Sequence, residues 1–210
     1  MQNDYLKLCL ITNLKDNSIA QYKHFLLNVI AGGITCVQLR NKSKNFNERY
    51  QFASQLKSIL YPFKIPLIIN DYIDLAREID ADGVHLGQND ESVFYARKTL
   101  GANKIIGLSV ETLEELHSAN QLTCINYVAI SAVFPSKTKT DCKTIWGLNG
   151  LKKFVTMSKH PVVAIGGIEI DNVKEIIKLG ANGIAVSHAI HSADDPKNTV
   201  IKFRKEINYL

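Results

Sequence analysis

Eight short apolar runs recur along this chain, and each is followed by a stretch whose apolar residues fall at helical spacing. The runs cover residues 6–11, 35–39, 66–69, 83–86, 104–108, 127–130, 161–165 and 183–186. Most are apolar throughout rather than alternating, as expected of parallel strands buried on both faces. The intervening stretches, 22–31, 47–61, 75–79, 93–100, 113–119, 148–158 and 173–179, with a closing one at 198–207, read as helices. Stop signals agree: Gly32-Gly33 follows the first helix, Pro62 the second and Gly180 the seventh. Thr112 and Glu115 have the spacing of a capping box.

Strict alternation implies a parallel sheet with right-handed crossovers. The 210 residues allow roughly 26 per unit, within the range of a compact barrel. The expectation is an α/β chain forming a single (β/α)8 TIM barrel, with residues 1–210 as one catalytic domain. A doubly wound open sheet is the alternative, because periodicity does not demonstrate closure.

Composition narrows the partners. At 46% hydrophobic the chain is no disordered protein. No apolar run approaches the ~20 residues of a membrane span, so no membrane partner is expected. The first residues, MQNDYLKLCLITN, lack the features of a signal peptide, which makes the cytoplasm the expected compartment. The net charge of +5 comes from dispersed lysines without a basic block, so no nucleic acid is expected either. The densest basic cluster is Lys137 and Lys139, with Lys143 nearby. A homo-oligomer is compatible with all of this. Cys9, Cys36, Cys124 and Cys142 have neither zinc-ribbon nor redox-pair spacing and are expected to be buried free thiols.

Polar residues then fall with a bias. Gln38, Arg40 and Lys42 stand at the end of the second run, Asn70-Asp71 at the third, and Gln88 and Asp90 at the fourth. Ser109 ends the fifth, Ser136, Thr138 and Lys139 follow the sixth, Gly166-Gly167 the seventh, and Ser187-His188 the eighth. Run beginnings carry turn residues instead, such as Ala102-Asn103 and Ala181-Asn182. In a barrel the C-terminal strand ends converge on one face, where active sites are built. This asymmetry points to an enzyme acting on small molecules.

Two ligand types are suggested. Gly166-Gly167 and the Val186-Ser187 turn resemble a phosphate cradle, where backbone N–H groups approach an anion closely. Asp71 and Asp90, on consecutive strand ends, can reach one hard cation such as Mg²⁺, which takes one or two carboxylates plus substrate phosphates. Either aspartate alone would be read as a helix cap, Asp71 before Tyr72 and Asp90 before Glu91. With Arg40, Lys42 and Lys139 at hand, a metal–pyrophosphate site is the better reading of the pair. Asp74 is expected on a solvent face and Asp82 in a turn. His85 is expected to be a satisfied barrel-wall histidine, His188 a rim residue, and Trp146 a loop-packing residue.

At these motifs the chain resembles the thiamine phosphate synthase family. VQLRNK, LIINDYIDLA, DGVHLGQND, GLS, YVAISAVFPSKTKTD, VVAIGGI and ANGIAVSHAI match its motifs in order, across nearly the whole chain. The sequence departs from the family pattern at Ser131-Ala132, at Ser136 in place of threonine, at Val110-Glu111 and at His188. The resemblance implies condensation of 4-amino-5-hydroxymethyl-2-methylpyrimidine diphosphate with a thiazole phosphate, releasing pyrophosphate. It assigns Gln38, Arg40, Lys42 and Asn70 to the pyrimidine diphosphate, and Ser109 and Lys139 to its phosphates. Arg40, Lys42, Ser109 and Lys139 would be the catalytic set. Ser136, Thr138, Gly166, Gly167, Val186 and Ser187 would take the thiazole phosphate, and Asp71 and Asp90 would hold Mg²⁺. Three rivals are a thiazole tautomerase, which needs neither metal pair nor lysine loop, a non-enzymatic phosphate sensor, and a phosphosugar enzyme. The last needs a base or Schiff-base residue, and none is clearly placed.

Overall fold

The structure is a computed structural model that describes residues 4–13, 19–41, 43, 45–136 and 142–208. The strands are β1 (Leu8–Ile11), β2 (Cys36–Leu39), β3 (Leu67–Asn70), β4 (Gly83–Leu86), β5 (Ile105–Val110), β6 (Tyr127–Ser131), β7 (Val162–Ile165) and β8 (Gly183–Val186). They pair in parallel in sequence order, and β1 pairs with β8, so the sheet closes into a barrel. Closure removes the open-sheet alternative.

The helices are α1 (Ile19–Gly32), α2 (Phe46–Leu60), α3 (Ile73–Glu78), α4 (Val93–Leu100), α5 (Leu113–Ala119), α6 (Gly147–Met157), α7 (Ile170–Lys178), α8 (His188–His191) and α9 (Pro196–Ile207). Several begin earlier than apolar periodicity predicts, because their first turns are largely polar or carry proline: Asp171 and Asn172 follow Ile170 in α7, and Pro196 and Lys197 precede the expected start of α9 at residue 198. Caps mark these starts better. Asn45, Ser92, Thr112 and Asp195 each accept a backbone N–H of their helix. The expected capping box forms by half. Thr112 accepts from Glu115 N, but the Glu115 carboxylate takes the Glu111 N–H at 2.6 Å instead of the cap residue's own. The single turn α8 was not expected from the sequence.

Two rows of side chains explain why the strands read as continuously apolar. Leu8, Leu10, Val37, Leu67, Ile69, Val84, Ile106 and their equivalents belong to the large core between sheet and helices. The alternate residues Cys9, Ile11, Cys36, Ile68, Tyr127, Ala129, Val163 and Ala185 form a second, inner core within the barrel. Both faces of each strand are therefore dry over their lower half.

The N-terminal ends of the strands share a stabilising device. The residue preceding a strand uses its side chain to accept the first or second N–H of the strand before it. Thr35 accepts from Leu8 N, Asp82 from Leu67 N, Asn126 from Ile106 N and Asn182 from Val162 N, each at 2.8 Å. A buried N–H without a partner would cost about 1–3 kcal/mol, so these turn residues maintain the barrel floor. Function is left to the opposite end.

Candidate active site

Continuing the inner row upward leads from apolar to polar residues. Cys36 is followed at i+2 by Gln38 and then Arg40, Ile68 by Asn70, Ala129 by Ser131, and Ala185 by Ser187. A period of two keeps each on the interior side. These ends enclose a cavity of about 610 Å³ lined by Gln38, Arg40, Asn70, Asp71, Gln88, Asp90, Ser109, Ser136, Gly166, Gly167, Val186 and Ser187. Every expected site residue within the described range thus borders one cavity. Lys42, Thr138 and Lys139 lie outside the described residues.

The β3–β4 side carries the acids. Asp71 follows β3 with φ of 68°, a left-handed conformation uncommon outside glycine and best tolerated by Asn and Asp. Its N–H donates to the His85 carbonyl at 2.9 Å, tying the β3 end to β4. Neither aspartate caps a helix. The cap position of α3 is Tyr72 and that of α4 is Ser92, while Asp90 accepts the Gly87 N–H at 2.6 Å. Asp71 and Asp90 are within hydrogen-bonding reach of each other. Burial, reinforced by the Asp90 charge, pushes the Asp71 carboxyl up from 3.8 to about 6; Arg40 and Asn70 pull it the other way. Two facing carboxylates without enough compensating charge are a fit for a hard divalent cation. Among the described residues no group of three or more His, Cys, Asp or Glu could hold a metal. A carboxylate pair suits an ion that draws its remaining ligands from substrate and water.

Beside the acids, Gln38 Nε2 donates to Asn70 Oδ1 at 2.7 Å, which orients both amides across the β2–β3 boundary. Gln88 Nε2 donates to the Ser109 carbonyl at 2.7 Å. Arg40 is placed by its own backbone: its N–H donates to Thr12 Oγ1 at 3.0 Å at the end of β1.

The β7–β8 side carries the expected cradle. Gly166 and Gly167 have φ of 99° and 60°. A Cβ on Gly166 would lie 2.4 Å from Ala132 Cβ, and one on Gly167 would lie 2.4 Å from the Pro135 carbonyl. The glycines are thus required by the β6–α6 loop packed over them, whose Val133 and Phe134 N–H groups donate to Ile165 and Gly166 carbonyls. Nearby, the Ser187 hydroxyl is buried and has no hydrogen-bond partner among the described residues. Its carbonyl accepts from His191 Nδ1 at 2.8 Å, and His191 Nε2 accepts the Asn13 N–H at 3.2 Å, linking the β8 turn to the β1 end.

Several cavity residues escaped the sequence reading. His85 is satisfied, as expected, but it also borders the cavity, and its register partner is Asn70. Counting inward positions from Asn70 would have flagged it. Glu111, nearly buried, accepts the Lys143 N–H at 2.9 Å and anchors the segment returning from the β6 loop. The Lys143 ammonium pairs with Glu115 at 2.7 Å. Trp146 packs edge-on against Phe154 at the start of α6 and donates from Nε1 to the Ser131 carbonyl. Asp74 is on the solvent side, paired with Arg77. Cys9 and Cys36 are buried free thiols; Cys124 and Cys142 are only half-buried, because they sit in connections rather than strands.

A closed barrel with an acid pair, a cationic side chain and a glycine turn at its C-terminal face defines an enzyme class that handles small phosphorylated molecules. Comparison with known proteins specifies which. Residues 8–190 match the family model of thiamine monophosphate synthase, and the chain belongs to that family. It is 44% identical over 207 residues to the thiamine-phosphate synthase of Chlamydia abortus, covering 99% of this chain and 97% of that one. It is 41% identical to the thiamine-phosphate synthase of Vibrio campbellii, covering 91% and 93%. The structure of thiamine phosphate pyrophosphorylase from Pyrococcus furiosus superposes with a TM-score of 0.88 at 33% identity, covering 100% of this chain and 98% of that one. A 3-hexulose-6-phosphate synthase shares the fold at a TM-score of 0.74 and 17% identity. No helix among the described residues is long and apolar enough to cross a membrane.

Proposed function

We propose that this chain is a transferase that condenses 4-amino-5-hydroxymethyl-2-methylpyrimidine diphosphate with 4-methyl-5-(2-phosphoethyl)thiazole, giving thiamine phosphate and pyrophosphate in thiamine biosynthesis. The observation that carries the reading is the division of one cavity. The Asp71 and Asp90 carboxylates and Arg40 line it from one side, and the glycine turn with the Ser187 hydroxyl, buried and without a hydrogen-bond partner among the described residues, from the other. Two anionic substrate groups would thereby be held apart, with the reacting carbon and nitrogen between them.

Gln38 and Asn70, locked to each other, would orient the pyrimidine. Arg40, with Lys42 and Lys139, would bind the diphosphate, and Ser109 would donate to one of its oxygens. Ser136, Thr138, Gly166, Gly167, Val186 and Ser187 would bind the thiazole phosphate. Asp71 and Asp90 would hold Mg²⁺, which when bound neutralises charge on the departing pyrophosphate. The methylene C–O bond breaks with its electron pair leaving on pyrophosphate. The electron-rich aminopyrimidine stabilises the resulting cation, and the thiazole nitrogen lone pair forms the new C–N bond. Oriented cationic and hydroxyl groups lower the barrier by stabilising the developing anion, and no protein nucleophile takes part.

The test is direct. Purified protein is given both heterocycles with Mg²⁺, and thiamine phosphate and pyrophosphate are measured. Equimolar formation of the two is expected. Absence of thiamine phosphate sinks the reading.

A further inference from the structure

We infer that Tyr127 and His85 act as positioning residues that fix the Ser109 hydroxyl as a hydrogen-bond donor aimed into the cavity. The inference rests on the synthase reading for the identity of the acceptor, a phosphate oxygen of the leaving diphosphate. The relay itself follows from the free protein alone.

Strand register brings the three groups together. His85 on β4 is the partner of Gly107 on β5, and Gly107 is the partner of Tyr127 on β6. The middle strand therefore presents no side chain between the outer two. A Cβ on Gly107 would lie 2.2 Å from Tyr127 Cζ and 2.5 Å from His85 Nδ1. Across that gap Tyr127 Oη meets His85 Nδ1 at 2.9 Å, and His85 Nε2 meets Ser109 Oγ, one inward step above Gly107, at 2.8 Å.

Proton accounting gives the chain a direction. Tyr127 is 5% exposed, and burial holds its phenol well above its ordinary ionisation range, so the O–H keeps its proton. A buried O–H needs an acceptor, and among the described residues Nδ1 of His85 is the only hydrogen-bond partner of Tyr127 Oη. Tyr127 therefore donates to Nδ1. A neutral imidazole accepting at Nδ1 carries its proton on Nε2. Nε2–H then donates to Ser109 Oγ, which uses that oxygen as acceptor. The remaining Ser109 proton has no acceptor among the described residues, and Ser109 borders the cavity. The opposite direction would leave the buried Tyr127 proton without an acceptor among the described residues, at about 1–3 kcal/mol.

The relay separates two roles a serine could play. With the imidazole donating to it, Ser109 cannot pass its proton to His85, so it is no activated nucleophile or base. It is a preset donor for an anion, polarised by the two groups behind it.

Three measurements decide this. In ¹⁵N-histidine-labelled protein without substrates, the His85 signals, assigned by their loss in His85→Gln, should show a protonated Nε2 and an unprotonated Nδ1. A protonated Nδ1 overturns the proposal. For turnover, Ser109→Ala should lower kcat on the order of 100-fold, the range for one oriented donor. Tyr127→Phe should lower kcat about 10-fold with KM for the thiazole phosphate unchanged, since relaying groups act only through Ser109. In the Ser109→Ala background Tyr127→Phe should add nothing further. Multiplicative losses in the double variant overturn the relay, because a merely structural Tyr127 would give them. Calorimetry of inorganic pyrophosphate with Mg²⁺ reads the same coupling without turnover, and additive losses there refute it equally. A wild-type protein that makes no thiamine phosphate refutes the synthase reading, while the tautomer and the pyrophosphate coupling still decide the relay.

Discussion

Replacing Asp71 with asparagine should stabilise the metal-free protein near neutral pH while abolishing its response to Mg²⁺. In the unfolded chain this carboxyl ionises at the ordinary 3.8; in the folded protein burial and Asp90 raise it to about 6. Between those values the folded state holds a proton that the unfolded state has lost. The favourable contribution of Asp71 is therefore fully present below 3.8 and is lost as pH rises through about 6. The gap corresponds to about 3 kcal/mol at ~1.36 kcal/mol per pH unit. Asp71 is only half-buried, so solvent screening leaves about 1.5 kcal/mol. For a chain of this size that is about 3–6 °C in Tm. Asparagine is tolerated at φ of 68°, so the backbone adds no penalty. The assay is thermal denaturation in EDTA at pH 7.5 and pH 4. The variant should melt about 3–6 °C above wild type at pH 7.5 and level with it at pH 4. Mg²⁺ at ten times its Kd should add about 1.4 kcal/mol to wild type and nothing to the variant. A variant that melts below wild type at pH 7.5, or an offset equal at both pH values, would refute the account of this site.

Asp90→Asn should reduce Mg²⁺-dependent turnover on the order of 100-fold with Tm little changed, and full activity would remove Asp90 from the metal site. Gly167→Ala should cost about 1–3 kcal/mol, visible by calorimetry, because its Cβ would meet the Pro135 carbonyl at a positive φ; an unchanged Tm would contradict that contact. Ser136→Ala should raise KM for the thiazole phosphate more than for the pyrimidine diphosphate, and the reverse order would invert the division of the cavity. A thiol reagent should modify Cys124 and Cys142 in the native protein and reach Cys9 and Cys36 only after denaturation, since the latter pair is buried and Cys9 holds the Cys36 thiol up. Four thiols reacting at one rate would contradict the inner core.

Strand identity and order were legible because each strand is buried on both faces and flanked by turn residues. Helix starts were legible only in part: α4 and α5 begin where apolar spacing places them, at Val93 and Leu113, whereas α1, α3, α7 and α9 begin two or three residues earlier. Asp195 announces α9 by hydrogen bonding, which apolar spacing does not register. The polar lining of the cavity was legible for a related reason. A residue such as Asn70 or Ser109 that breaks an apolar run at the same end of consecutive strands has no packing explanation. What remained hidden was pairing. The sequence places Asp71 and Asp90 on adjacent units, but only the left-handed Asp71 and the Gly87 N–H on Asp90 show that both turn away from helix capping toward each other.

His85 marks the boundary of that legibility most clearly. As a residue type inside an apolar strand, it reads as wall, and its hydrogen bonds to Tyr127 and Ser109 satisfy that reading. Yet a wall histidine and a positioning histidine differ in what lies beyond the second bond, not in whether the bonds exist. Here the far partner is a half-buried serine at the cavity, and the near partner is a buried tyrosine whose proton has one acceptor among the described residues. Gly107 makes that contact possible, and along the chain it looks like an ordinary gap in a strand. Parallel register converts the gap into a junction: side chains separated by 42 positions meet only because the strand between them contributes none. The direction of the hydrogen bonds then follows from burial of the outermost donor. The information was distributed over three strands, and their parallel register was needed to assemble it.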